Sequence, residues 1–140
     1  MYSLSKTSAK NLVTCDNRLI TLVHAVLEVM DVSVLYGHRS TKEQFELFQV
    51  GRQLIDGHWI IVDKKEIKTY KDGITDLSKH NVKPSLAVDI APYPIDWKDI
   101  ERFKRMADVF LYKAQELRIK ARWGGDFKDF KDYPHFELIG

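Results

Sequence analysis

The sequence predicts an α+β fold with a small, largely antiparallel sheet packed against about three helices. Two observations lead to this prediction: helical patterns fall mostly in the earlier part of the chain, and strand-like runs cluster toward its end. The chain has 140 residues, the length of one ordinary domain, and 44% of them are hydrophobic, which is enough for a core. We therefore expect a single domain over residues 1–140, with no internal repeat and no linker.

The first two predicted helices follow from apolar spacing and from a capping signal. Within residues 17–30, apolar side chains recur at spacings of three and four, which is typical of one buried helix face. Ser40 and Glu43 have the spacing of a capping box, so a second helix should begin there and continue to about Leu54.

The third predicted helix is the longest and runs roughly from Trp97 to Arg118, behind an Asp96 cap. Its apolar residues keep an unbroken three-four spacing, which predicts a face buried in the core. That face consists of Ile100, Phe103, Ala107, Phe110, Ala114 and Leu117.

Five short runs have the composition of strands, bounded by glycine, proline or polar turn residues. They are residues 32–37, 58–63, 86–90, 119–123 and 135–138. The last two are separated by Gly124-Gly125 and a charged segment, which predicts a turn followed by a loop.

Composition excludes several classes of protein. The 22 basic and 20 acidic residues are evenly mixed, whereas a nucleic-acid binder would cluster its basic residues. No run approaches the roughly 20 apolar residues of a membrane span, and the N-terminus lacks the apolar core of a signal peptide. The single cysteine, Cys15, excludes an internal disulfide, and we interpret it as a small packed residue before a helix.

Three residues in the second half of the chain have the side chains of a metal site: His80, Asp89 and His135. Two imidazoles and one carboxylate would leave the fourth position of a tetrahedral zinc ion open for water. Asp89 lies within the apolar run 86–90, where a carboxylate is costly unless it is paired or bound to a metal. Spacing alone leaves a second interpretation open, namely a surface histidine and a salt-bridged aspartate.

Other polar residues are candidates for supporting roles. Asp132, three positions before His135, could accept a proton from water. Glu137 would share a strand face with His135, as side chains alternate along a strand. Arg39 lies at a strand-to-helix junction, where side chains often line a cleft, although a surface ion pair is the alternative. Ser78 and His38 are further candidates for contacts with a ligand or with the site residues, and Ser78 could instead only cap its loop.

The order of these motifs resembles the zinc D-Ala-D-Ala peptidase superfamily, and within it the L-alanyl-D-glutamate peptidases used as phage endolysins. The resemblance covers nearly the whole chain and rests on the segments Gly37-His38-Arg39-Ser40, Ser78-x-His80, Ala87-Val88-Asp89, Trp123-Gly124-Gly125-Asp126 and Asp132-x-Pro134-His135-Phe136-Glu137-Leu138. The gap from His80 to Asp89 is longer than in the shortest family version, and Asp132 stands where many relatives have Glu.

The resemblance implies a hedgehog-like architecture and a single zinc peptidase domain; some relatives also carry a wall-binding domain, and we expect none here. It implies one Zn²⁺ ion held by His80, Asp89 and His135, with Asp132 as catalytic base and Arg39 at the substrate oxyanion. The implied substrate is the stem peptide of peptidoglycan, cleaved between L-Ala and D-Glu.

The resemblance also implies an endolysin. The protein would be made in the host cytoplasm as a monomer, without membrane insertion or nucleic-acid binding, and would reach the wall through a holin-type pore.

Three alternatives stay open at this point. A D,D-carboxypeptidase or dipeptidase of the same superfamily would share the site. A non-catalytic, zinc-stabilised binding module would need a fourth protein ligand to close the metal site. A metal-dependent nuclease is disfavoured by the balanced charge.

Overall fold

Four α-helices and six strands make up the fold, in a computed structural model that describes all residues from Met1 to Gly140. The helices are α1 (Lys6–Leu12), α2 (Asn17–Leu27), α3 (Thr41–Gln49) and α4 (Ile100–Glu116). The strands are β1 (Val32–Tyr36), β2 (Arg52–Ile55), β3 (His58–Ile61), β4 (Ala87–Pro92), β5 (Ala121–Trp123) and β6 (His135–Leu138). The predicted α+β class is confirmed.

The main sheet has four strands in the order β1-β4-β6-β5, and every neighbouring pair is antiparallel. β2 and β3 form a separate antiparallel hairpin. None of the helices combines the length and the apolar character that crossing a bilayer requires.

The two central strands of the main sheet, β4 and β6, separate the core from the cleft. Alternation along each strand sends Val88 and Ile90, together with Phe136 and Leu138, into a core shared with α2 and α4. The rings of Phe110 and Phe136 stack with their centroids 4.0 Å apart, which ties α4 to β6. Side chains at the intervening positions, among them Asp89 and His135, therefore face away from the helices.

The prediction for the second helix was wrong in its length. α3 starts with the predicted capping box, in which the Ser40 and Glu43 side chains each accept a hydrogen bond from the other's backbone N–H, but it ends at Gln49. Gly51 has a φ of +80°, a left-handed conformation that favours glycine, and there the chain turns into β2. The apolar residues that suggested more helix belong to the β2–β3 hairpin instead.

Two further helix boundaries differ from the prediction. α1 was not predicted, because its seven residues contain too few apolar positions to show a period, although Ser5 caps it. α4 begins at Ile100 with Asp99 as its cap, whereas Asp96 accepts a hydrogen bond from the Lys98 N–H in a separate preceding turn. Four residues of the predicted face of α4 are buried, while Leu117 lies just beyond the helix and is exposed.

Candidate metal centre and cleft

His80, Asp89 and His135 come together from three places in the chain. Asp89 on β4 and His135 on β6 are direct cross-strand partners. His80 lies in a short 3₁₀ turn, Lys79–Asn81, which Ser78 caps by accepting a hydrogen bond from the His80 backbone N–H. All three side chains are buried. Rigid sheet pairing and a capped turn therefore fix the positions of the three groups.

The facing atoms of these residues form a small, nearly equilateral triangle. His80 Nε2 lies 3.1 Å from Asp89 Oδ1 and 3.2 Å from His135 Nδ1, and His135 Nδ1 lies 3.2 Å from Asp89 Oδ1. Tetrahedral zinc with bonds of 2.0–2.2 Å would separate its ligand atoms by roughly 3.3–3.6 Å. The triangle is thus close to the size that such an ion needs.

The other nitrogen of each imidazole decides where its proton lies. His80 Nδ1 is 2.8 Å from the carbonyl oxygen of Gly37, which can only accept a hydrogen bond, so Nδ1 carries the proton. His135 Nε2 is 2.7 Å from Glu137 Oε1 and likewise donates to it. In the neutral imidazoles the nitrogens that face Asp89 are therefore lone pairs, so three electron-pair donors converge on one point once a metal ion takes the place of the proton on His135 Nδ1. This group could hold a metal ion.

The electrostatics around the triangle favour positive charge. Burial opposes a charge on His135, but its hydrogen bonds with Asp89 and Glu137 outweigh burial and raise its pKa to about 10. Burial likewise opposes ionisation of Asp89, yet the two histidines hold its pKa well below the usual range. Asp89 is therefore a carboxylate, and a cation in its vicinity is stabilised.

Asp132 lies beside the triangle without being part of it. Its Oδ2 is 3.9 Å from His135 Nδ1, and its backbone N–H donates to the carbonyl oxygen of Gly124. Burial, followed by the negative charge of Asp89, raises the pKa of Asp132 to about 6. A carboxyl group with a pKa near neutrality can both accept and return a proton.

Arg39 lies between the triangle and α3. It is buried, and its guanidinium donates to Gln44 Oε1 at 2.8 Å and approaches Asp89 Oδ2 at 3.5 Å. Its Nε has no hydrogen-bond partner within the protein. A buried donor without a hydrogen-bond partner is uncommon in folded proteins.

Sequence reasoning missed three residues that hold these groups in place. Gln44 is fully buried and connects Arg39 to the backbone carbonyl of Lys71. Arg122 and Lys79 both contact Glu137 Oε2, at 2.8 and 3.5 Å. Of the three, only Arg122 could have been identified from a strand pattern. It lies on β5 directly opposite Glu137 on β6, and opposite charges commonly pair at such positions.

The other residues named in the sequence analysis lie outside the group of His80, Asp89 and His135. Ser78 lines the cleft and caps the His80 turn, while the backbone N–H of His38 donates to Thr14 and His38 is not among the cleft-lining residues. Asp126 ends the 3₁₀ turn that starts at Gly124, in line with a role in the turn. Cys15 is buried directly before α2.

The cleft around the triangle has a volume of about 1670 Å³ and opens to solvent. Two loops, residues 64–71 and 126–134, form much of its wall, and they carry four and two lysines.

A model of the phage L-alanyl-D-glutamate peptidase family matches residues 1–139 of the chain. The chain belongs to this family.

Peptidases from a bacterium and from a phage are similar in sequence to this chain. A peptidoglycan L-alanyl-D-glutamate endopeptidase of Bacillus subtilis (strain 168), CwlK, is 36% identical over 117 residues, 79% of this chain. The match spans 62% of the Bacillus protein's length. The L-alanyl-D-glutamate peptidase of Escherichia phage T5 is 28% identical over 142 aligned residues, covering 98% of this chain and 89% of the phage T5 protein.

The fold also occurs in a solved structure. The crystal structure of the Serratia marcescens L-Ala D-Glu endopeptidase ChiX superposes with a TM-score of 0.69 at 23% identity. The superposition covers 98% of this chain and 90% of ChiX. The α+β fold of this family member is therefore the one that ChiX has.

Proposed function

We propose that this family member is a zinc-dependent peptidoglycan endopeptidase that hydrolyses the bond between L-Ala and D-Glu of the stem peptide. The observation that carries the proposal is the convergence of three possible metal-binding atoms in an open cleft, with the Asp132 carboxyl group beside them. Membership of the family and the names of its relatives supply the substrate class.

In this proposal the zinc ion is held by His80, Asp89 and His135. No fourth protein side chain joins their group, which suits a catalytic rather than a structural ion. When bound, zinc would supply Lewis acidity, lowering the pKa of a water molecule and polarising the scissile carbonyl.

Asp132 acts as the general base and then as the general acid. Its carboxylate takes the proton of the attacking water, and the resulting acid gives that proton to the amine of D-Glu as the peptide bond breaks. Its raised pKa of about 6 makes both directions of transfer accessible near neutral pH.

Arg39 stabilises the negative charge that develops on the carbonyl oxygen of the scissile peptide. The guanidinium is buried, is held by Gln44, and has an Nε–H without a partner in the protein. A fixed donor in a site of low polarity stabilises such charge more strongly than water does.

As a phage-type endolysin, the protein would be synthesised in the host cytoplasm and would act on the wall after the membrane is opened. Its similarity to the phage T5 peptidase supports this part of the proposal. Passage through a holin-type pore and action as a monomer stay predictions from the resemblance.

The bond specificity is tested by digesting purified sacculi and identifying the fragments by mass spectrometry. We expect new N-terminal D-Glu, lost after chelation and regained when zinc is restored. Release of D-Ala alone would instead identify a D,D-carboxypeptidase, and no cleavage by folded, zinc-loaded protein would leave a binding module.

The role of Asp132 is tested by Asp132→Asn, with Asp129→Asn as the matched control in the same cleft wall. We expect Asp132→Asn to lower kcat by about 10²- to 10⁴-fold, because an amide cannot accept the proton. Zinc affinity should change little in both variants, and Asp129→Asn should keep its activity. Near-normal turnover by Asp132→Asn would exclude it as the base.

A further inference from the structure

Trp97 is an exposed aromatic residue inside the cleft that the proposed chemistry does not use. It lies between β4 and α4, lines the same cleft as His135 and Asp132, and leaves 58% of its surface accessible. Ligand-binding clefts are lined largely by apolar and aromatic side chains, so an exposed indole in this wall is placed to contact a ligand.

The indole ring is held in a fixed position. It stacks on the buried ring of Phe103, with the centroids 5.6 Å apart and the planes 19° from parallel. The segment around it is pinned as well, because Arg102 donates to the carbonyl oxygen of Pro94 and Asp96 accepts from the Lys98 N–H. A ring fixed in this way offers a flat apolar surface without a further loss of side-chain entropy on binding.

A row of aromatic rings connects Trp97 to the reaction centre. Phe103 lies next to Tyr133, with 6.5 Å between ring centroids, and Tyr133 directly follows Asp132 in the chain. Trp97 therefore lies two ring-to-ring steps from the turn that carries Asp132. With centroid separations of 5.6 and 6.5 Å for these steps, the Trp97 and Tyr133 rings are at most about 12 Å apart, which is within the reach of a group attached next to the scissile residue.

The chemistry of the substrate supplies a group that suits this surface. In peptidoglycan the L-Ala residue is joined to the lactyl group of a saccharide, so a pyranose ring stands next to the proposed scissile bond. A pyranose has one face of C–H groups, and such a face packs on an indole ring as an apolar surface does. Its hydroxyl groups stay in water at the open rim of the cleft.

We propose that Trp97 is a saccharide-binding platform that contacts the sugar ring attached to the stem peptide. This inference rests on the proposed function and adds to it a preference for peptides that still carry their saccharide. The ring binds the substrate and takes no part in the bond-breaking steps.

The test compares two soluble substrates that differ only in the sugar. One is a muramyl peptide of L-Ala-γ-D-Glu-L-Lys, and the other is the same peptide with an N-acetyl group in place of the saccharide. We expect Trp97→Ala to lower kcat/KM roughly three- to tenfold on the muramyl peptide and to leave the acetyl peptide nearly unaffected. Trp97→Phe, which keeps a ring, should recover most of the loss.

Tyr112→Ala serves as the control, since Tyr112 is similarly exposed on α4 but is not part of the cleft lining. Equal losses by Trp97→Ala on both substrates, or no loss on either, would overturn the platform while leaving the peptidase intact. A wild-type enzyme inactive on both substrates and on sacculi would remove the proposed function and the platform with it. Unchanged activity of Trp97→Ala on the acetyl peptide also shows that the variant folds.

Discussion

Glu137 acts on the candidate metal site through His135. Its Oε1 accepts the His135 Nε2–H at 2.7 Å, and Arg122 holds its Oε2 at 2.8 Å. Burial opposes its ionisation, but the contacts with His135 and Arg122 prevail and lower its pKa to about 2, so the group stays a carboxylate at neutral pH. The carboxylate fixes the orientation of the imidazole and keeps the Nε2 proton in place, so Nδ1 is the nitrogen that can exchange its proton for a metal ion.

Replacing Glu137 should therefore weaken zinc binding. We expect Glu137→Ala to raise the zinc Kd by about 10- to 100-fold, and Glu137→Gln to raise it less, because an amide oxygen still accepts from Nε2–H. Competition with a chromophoric chelator measures this, with Glu101→Ala on the exposed side of α4 as control. An unchanged Kd for Glu137→Ala would show that Glu137 does not orient His135.

Cys15 should be chemically inert in the folded protein. Burial raises the pKa of its thiol to about 12, so the reactive thiolate is nearly absent at pH 8, and the side chain is closed off from solvent. We expect a thiol reagent to react at least about 100-fold more slowly with native than with unfolded protein, in which cysteine has a pKa of about 8.5. Rapid reaction of the native protein at pH 8 would contradict this packing.

At the scale of elements, the sequence predicted those helices and strands that have a strong local pattern. The strands that carry Asp89 and His135, the capping box of Ser40 and the main stripe of α4 are all present, because each has a strong local signal. The β2 strand could not be predicted in the same way. It begins where α3 ends, and α3 ends because Gly51 takes a left-handed conformation. Local propensity does not show where a chain reverses.

The sequence predicted which residues gather at the candidate site, but only some of the contacts that hold them in place. Asp89 could be singled out because a carboxylate in an apolar strand needs a partner, and Glu137 because alternation places it beside His135. His80 gave no comparable local signal, and it reaches the site by the packing of its turn against the Gly37 carbonyl. The contact of Gln44 with Arg39 is likewise a tertiary contact, made between a helix and the junction before it.

Gly124 allows the turn that carries Asp132 to approach the sheet closely. A Cβ at this position would lie 2.3 Å from the carbonyl oxygen of Asp132 and 2.9 Å from the Cβ of His135. We therefore expect Gly124→Ala to lower the free energy of unfolding by about 1–3 kcal/mol and to reduce both zinc affinity and activity. Chemical denaturation and the chelator competition measure these effects.

A glycine elsewhere provides the control for this substitution. Gly57 in the β2–β3 turn has open space around its Cβ position and a φ of +79°, which asparagine tolerates better than most residues. Gly57→Asn should change neither zinc affinity nor activity. Normal zinc binding and activity in Gly124→Ala would show that the turn can move away without disturbing the site.

At the scale of the whole molecule, one sheet serves two purposes through the alternation of its side chains. The faces of β4 and β6 that pack on α2 and α4 are apolar, and this core holds the two strands in register. The opposite face presents Asp89 and His135 as cross-strand neighbours at a fixed spacing. The same packing that stabilises the fold thus fixes the positions of the residues that could bind a metal ion.

That preorganisation links zinc to the stability of the entire fold. Three metal-binding groups are held close together in a buried position, so a cation that binds only the folded state should raise the unfolding temperature, and the rise should grow with the logarithm of the free cation concentration above Kd. At free zinc about 100 times its Kd, we expect the free energy of unfolding to rise by about 2.7 kcal/mol.

Magnesium should have little effect, because it prefers oxygen ligands to imidazole. Thermal unfolding followed across a zinc titration measures the shift, and Asp132→Asn should retain it while His135→Ala should lose it. A zinc-independent unfolding temperature, or an equal response to magnesium, would mean that these three residues do not form a zinc site.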